Sequence, residues 1–282
     1  MKCLTLSWPL DLGAQVKEHV DLPGSNIVYD FHGDPMNSEL TIVMEGNQFM
    51  VIPEMLDAFY RFLGKSIEVF YVTLPPPRFL PVLEGRALAI GNLILNLKPQ
   101  IVMGPPEFMK RLLAKGMVKE PRTFMTNKGV VLVYPRGNPK AIGSPSDLMR
   151  PDIKIGISNP KTEVNSFNSY IKALSHISGI IEKIESQGIY SSVIHHREIP
   201  AFIYHGVVDV APLYRHFALY YENPRFFKES FFEHLEFPEG EKETSSYQVA
   251  IVDEWKGHEY ARAWWEFLQT NETRKIYERY GF

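Results

Sequence analysis

The sequence predicts an α/β fold in which mostly parallel strands alternate with helices. Three observations predict it. From residue 40 onward, short apolar runs alternate with segments of helical periodicity, the pattern of parallel sheets joined by right-handed crossovers. The stretch Asn127–Tyr170 reads in turn as strand, loop, short helix, strand and a Ser-Asn-Pro turn opening another helix. At 282 residues, 45% of them hydrophobic, the chain is long enough for one large domain or two smaller lobes.

The elements follow in order. Leu40–Met44 is a buried-strand candidate, followed by Glu45-Gly46-Asn47-Gln48-Phe49. A helix runs from about Pro53 to Leu63, with Met55, Leu56, Phe59, Phe62 and Leu63 on one face and the proline near its start. Ile67–Val72 is the second strand, ended by Thr73-Leu74-Pro75-Pro76-Pro77, and Ile101–Met103 is the third, ended by Gly104-Pro105-Pro106. A helix from Glu107 to Leu113 comes next. Val130–Tyr134 is long enough for a buried strand, and Arg136-Gly137-Asn138-Pro139 stops it with turn chemistry. Ile153–Ile157 is another short strand. In the closing helix Tyr260, Ala261, Trp264 and Leu268 share an apolar face, so Trp264-Trp265 reads as core packing. Residues 1–39, broken by Pro23-Gly24 and Gly33-Asp34-Pro35, read as an extension packed on the first part of the fold.

Ser158 and Asn159 stand where the helix after Ile157 is expected to begin. The free N–H groups and dipole of a helix start attract anions. Most helix starts bind only their own backbone, so this spacing suggests an oxyanion or carboxylate site without establishing one.

The run LVYPRGNPKAIGSPSDLMRPDIKIGISNPKT, from Leu132 to Thr162, resembles the entry to the second lobe of periplasmic molybdate- and tungstate-binding proteins, the type II solute-binding components of ABC importers. Two further segments are similar to the same family. His205–Tyr214 matches its G-x-x-D-x-x-x-x-Y strand, and Tyr247–Phe282 matches the strand and helix that return to the first lobe. The resemblance covers roughly residues 40–282 in the right order. Its motifs are fairly specific for the fold and much less so for the ligand.

That resemblance implies a bilobal, periplasmic-binding-protein-like fold of type II, with two mixed, mostly parallel sheets and helices on both faces. The first lobe would hold 1–123 plus 248–282, with 1–39 as extension, and the second 124–247. The crossings would fall near Thr123–Gly129 and Ser245–Gln248. It also implies a cleft lined by Asn47, Gln48, Thr73, Ser158, Asn159, Thr162, Asn165, Ser166 and Tyr214. Asn47 and Gln48 stand where the family has a small hydroxyl residue. Asn165 and Ser166 replace its small, Gly-containing helix start. Both departures put an identical oxyanion pocket in doubt. Tyr214 matches the family's cleft tyrosine, and the Thr73 hydroxyl could donate to an oxyanion. The implied activity is capture of a small anion, with molybdate or tungstate first and sulfate, phosphonate or a small carboxylate as alternatives. An ABC permease would be the partner of an exported, monomeric chain, with no cofactor.

Several other readings compete. His195-His196 invites a metal, but adjacent strand residues point to opposite faces, which favours a structural pair. Tyr220-Tyr221 with Tyr214 suggests the tyrosines of related iron(III)-binding proteins, at a different spacing. Glu45 could ligate an octahedral oxyanion centre, although a solvated or capping role is the simpler expectation. No nucleophile elbow, P-loop or dinucleotide fingerprint appears, so the chain reads as a binding protein rather than an enzyme. A sensor or an enzyme on the same fold remains the alternative.

A net charge of -3 and a pI near 6.3 argue against non-specific nucleic-acid binding. No apolar run reaches the roughly 18–20 residues of a membrane span. Cys3 is the single cysteine, so neither an internal disulfide nor a thiolate cluster is expected. Only Met1 and Lys2 precede it, which reads as a free thiol rather than a lipid anchor. The segment Met1–Pro9 lacks the pattern of a secretory leader, whereas the resemblance implies an extracytoplasmic protein.

Overall fold

The computed structural model describes residues 19–21, 28–90, 93–161, 163–191, 198–223, 229–238 and 242–282. Cys3, Thr162 and the His195-His196 pair therefore lie outside the described residues.

The larger sheet contains β1 (His19–Asp21), β2 (Val28–His32), β3 (Leu40–Met44), β4 (Val69–Thr73), β7 (Ile101–Gly104), β8 (Val118–Thr126) and β14 (Ser246–Val252). Its order is β1-β2-β4-β3-β7-β14-β8. The central strands β3, β4 and β7 are parallel and wholly buried, so both faces must be covered. α1 (Ile52–Leu63) covers one face through Ile52, Met55, Leu56, Ala58 and Phe59. It has a proline in its first turn and stops at Gly64 with φ +70°, a left-handed cap that glycine adopts without strain. α2 (Pro76–Leu83) and α3 (Pro106–Ala114) supply a second core around Phe79, Phe108, Met109 and Val102. Between them β5 (Leu88–Ile90) and β6 (Leu93–Leu95) form an antiparallel hairpin.

The chain then leaves this sheet. β9 (Val130–Pro135) is fully inserted between β12 (Ala211–Tyr214) and β13 (Phe232–Glu236), both antiparallel to it. β10 (Gly156–Ile157) and β11 (Ile189–Tyr190) pair in parallel, and Ile155 bridges to Val210. Around these strands lie α4 (Val164–Leu174), α5 (Ile180–Gln187), α6 (Ile199–Tyr204) and α7 (Arg215–Glu222). After Ser246 the chain is back in the larger sheet and ends in α8 (Glu259–Phe267) and α9 (Asn271–Arg279).

The bilobal α/β class is as the sequence implies, and the sheets are less parallel than expected. In the larger sheet only β3 with β4 and β3 with β7 run parallel, whereas β1, β2, β8 and β14 pair antiparallel. The reason is topological: β2 comes from the segment before residue 40, and β14 returns after the chain has built the separate sheets of β9 to β13. The closing helix is also two helices, broken between Phe267 and Asn271. Trp264 is fully buried and meets Phe59 edge-on at 4.9 Å, and Trp265 donates to the Glu120 carbonyl at 3.1 Å, the packing role expected of this pair.

Candidate functional site

Glu45, Gln48, Ser158 and Tyr214 all lie just beyond or at strand ends, where loops of an α/β sheet gather a ligand. Glu45 follows β3 and opens the single-turn helix Gly46–Gln48. Ser158 follows β10, and Tyr214 ends β12.

Glu45 departs from the solvated or capping role expected of it. It is 7% exposed, makes no side-chain cap bond, and its Oε1 has no hydrogen-bond partner. Its backbone N–H is fixed to the Met103 carbonyl at 3.2 Å. Burial of an unpaired carboxyl disfavours the charged form, and it pushes Glu45 up to about 8. Gln48 is also buried. Its Oε1 accepts the Tyr277 hydroxyl at 2.6 Å, leaving Nε2 without a partner. Asn47, in the same turn, is half-buried. Ser158 is 0% exposed, and its Oγ is likewise unpartnered. An unsatisfied buried polar group costs about 1–3 kcal/mol, so three of them at strand ends need an explanation.

Tyr214 ties these parts together. Burial raises its phenol above the ordinary value, while hydrogen bonds with Ser169, Ser245 and Ser166 work the other way and the field of Glu45 adds to the rise. Tyr170 stands edge-on to it at 5.1 Å. Tyr247, at the start of β14, feels both Glu45 and Tyr214, and its hydroxyl accepts the Asn127 amide at 3.3 Å. Burial drives Tyr247 well above the ordinary tyrosine range and raises Tyr277 too. Three buried phenols, Tyr214, Tyr247 and Tyr277, therefore feel one buried acid. Tyr170, Tyr247, Tyr277 and Asn127 were not picked out from sequence as site residues. An aromatic in a strand or helix looks like core until its hydroxyl is placed.

The remaining predicted residues separate. Thr73 is buried, and its hydroxyl donates to Asp30 Oδ2 at 2.9 Å while accepting the Asp30 N–H at 3.0 Å. Asn159 is engaged locally: its N–H and Nδ2 donate to Ser191, and its Oδ1 accepts from Lys161 N–H at 2.9 Å. The helix after the Ser-Asn-Pro turn begins at Val164, not at Ser158. The turn stays a loop because Asn159 binds it to Ser191 and to Lys161. Asn165 is exposed in the first turn of α4, and Ser166 is buried beside Tyr214.

Tyr220 and Tyr221 are buried on α7, packed edge-on against Phe49 and Phe232 respectively, which fits core tyrosines. Among the described residues, no group of three or more His, Cys, Asp or Glu could hold a metal ion, and no helix is long and apolar enough to cross a membrane. A separate open cavity of about 340 Å³, lined by Thr123, Lys128, Arg274, Glu278 and their neighbours, contains none of the predicted site residues.

Comparison with known proteins adds a family. The model of the bacterial extracellular solute-binding proteins matches residues 94–282. YvgL of Bacillus subtilis (strain 168), provisionally named an ABC transporter substrate-binding lipoprotein, is 24% identical over 177 residues; the match covers 61% of this chain and 62% of YvgL. The periplasmic molybdate-binding protein of Azotobacter vinelandii superposes with a TM-score of 0.65 at 14% identity, over 86% of this chain and 97% of that one. The sulfate-binding protein SubI of Mycobacterium tuberculosis H37Rv gives 0.62 at 18% identity, over 86% and 85%. At these identities the structural likeness concerns the fold alone.

Proposed function

The chain belongs to the bacterial extracellular solute-binding proteins, and from that premise we propose that it captures a small oxyanion between its lobes for ABC-type import. One observation carries the reading. Glu45 Oε1, Gln48 Nε2 and Ser158 Oγ are buried polar atoms left without partners beyond the ends of β3 and β10. A ligand presenting several oxygens would satisfy them together. Tyr214, held by serines of α4 and by Ser245, links the second lobe to the field of Glu45.

The lobes would meet at the crossings near 123–129 and 245–248, and closure about them would follow from ligand contacts on both sides. A membrane permease would then recognise the closed form. Molybdate or tungstate is the first candidate, by likeness to relatives that carry those names; sulfate, phosphonate and small carboxylates would use the same donors. Gln48, Ser158, Ser166 and Tyr214 are the proposed contacts. Asn47 and Asn165 border them, Thr73 and Asn159 shape the walls, and Thr162 lies outside the described residues.

Thermal unfolding against molybdate, tungstate, sulfate, phosphate, iron(III) and small carboxylates tests this. A ligand at a hundred times its Kd adds about 2.7 kcal/mol, roughly 5 °C for a chain of this size. A rise with one oxyanion that is lost in Ser158→Ala supports the reading. No rise with any oxyanion refutes it.

A further inference from the structure

We propose that Glu45 meets the ligand as a neutral carboxylic acid and donates a hydrogen bond to one of its oxygens, so that capture of an oxyanion is coupled to a proton held at Glu45. The inference rests on the oxyanion reading above and names the chemistry of one contact within it.

The geometry comes first. Glu45 is held in place by its N–H bond to Met103 and by the short helix it opens, yet its Oε1 ends without a partner. Three residues on, Gln48 leaves Nε2 unpartnered as well, its other amide atom being fixed by Tyr277. An ionised carboxylate here would repel an anion bound by Gln48 Nε2 and Ser158 Oγ. The same group carrying its proton becomes one more donor.

The surroundings favour that form. The groups that feel Glu45 are phenols from three elements: Tyr214 on β12, Tyr247 on β14 and Tyr277 on α9. All three are raised above the ordinary tyrosine range and stay uncharged in ordinary buffers. From β2, Asp30 is bound to Thr73. Among the described residues no cation forms an ion pair with Glu45. Burial alone keeps its proton on. An entering anion raises the proton affinity of Glu45 further through like-charge repulsion. Where the free protein has Glu45 ionised, binding therefore draws one proton from the buffer.

The test is calorimetric titration with molybdate, tungstate and sulfate, none of which changes protonation over the range used, from about pH 6 to about pH 10, in buffers of different ionisation enthalpy. For wild type, Kd is expected to be flat at the acid end and to rise about tenfold per pH unit above the point where Glu45 ionises, with uptake approaching one proton per ligand. Glu45→Gln, whose amide still donates but cannot titrate, is expected to bind with a pH-independent Kd and no proton uptake. A flat wild-type Kd without proton uptake overturns the proposal and leaves the oxyanion reading standing. So does a Glu45→Gln variant that keeps the wild-type pH dependence. If Glu45→Gln fails to fold, the wild-type proton count decides alone. Binding of no oxyanion at any pH removes the underlying reading, and this contact with it.

Discussion

Asn127 and Ser245 clasp each other where the chain leaves one sheet and returns to it. The Asn127 N–H donates to the Ser245 carbonyl at 2.9 Å, and Asn127 Oδ1 accepts the Ser245 N–H at the same distance. That oxygen also accepts the Gly129 N–H at 3.0 Å, and the Asn127 amide reaches the Tyr247 hydroxyl at 3.3 Å. One buried side chain thus joins the segment leaving β8 to the segment entering β14 and supports a tyrosine that feels Glu45.

Asn127→Ala leaves one buried and one half-buried N–H donor, of Gly129 and Ser245, without their acceptor. The expected loss is about 1–3 kcal/mol, read as a lower midpoint in urea unfolding. Gly129→Ala is expected to destabilise independently, since Gly129 has φ +96° and an added Cβ would lie 3.3 Å from the Glu243 carbonyl oxygen.

Thr73→Ala removes the hydroxyl that both donates to and accepts from Asp30. The expected result is destabilisation by about 1–3 kcal/mol, with Thr73→Ser recovering most of it. Denaturant midpoints of the three proteins check this. Equal midpoints for the Ala and Ser variants would show that the pair contributes little.

Tyr214→Phe deletes the phenol bonded by Ser166, Ser169 and Ser245. Loss of about 1–1.5 kcal/mol of ligand binding is expected, a Kd roughly tenfold higher. Titration with whichever oxyanion gives the thermal rise measures it.

The pH dependence of stability follows from Glu45. Its ordinary value is 4.5 and burial raises it to about 8 in the folded chain. Between those values the folded state holds the proton that the unfolded chain gives up, so stability falls as pH rises through this window. The total is on the order of a few kcal/mol. Denaturant unfolding from pH 4.5 to 8 is expected to show the decline, and Glu45→Gln to flatten it.

His234 acts over a different window. Its bond to Glu222 raises it above 6.5, with Glu236 adding to the rise. The stability this pair contributes is complete below 6.5 and is lost as pH rises through the folded value. His234→Gln is expected to remove a decline on the alkaline side that Glu45→Gln leaves in place, as separate unfolding series for the two variants would show.

The central strands and α1 were legible in the sequence because their pattern and their burial agree: Leu40–Met44, apolar but for Thr41, and Val130–Val133, apolar throughout, are wholly buried. α2 was not, since Pro76, Pro77 and Pro81 suggest a break. The first two lie in the opening turn, where a missing N–H costs nothing. β8 carries Pro121 and a largely exposed pattern, and it forms because it is an edge strand. In the site, Tyr214 was reached through its family motif. Glu45 was undervalued because an acid after a strand usually faces water. The signal was its place between two apolar runs, Ile42–Met44 and Phe49–Ile52, both buried. The Thr73–Asp30 pair was hidden because its partner lies in the segment before residue 40, outside the motifs that carried the resemblance.

The strand order β7-β14-β8 sets a timetable for synthesis. Among the described strands β8 has β14 as its only neighbour in the sheet, and paired residues such as Thr126 and Ser246 are 120 positions apart. A ribosome therefore releases β8 with an unpaired edge, then makes all of β9 to β13 before the strand that completes the first sheet emerges. The strands β9 to β13 have the earlier opportunity to pair, and the sheet that starts first finishes last.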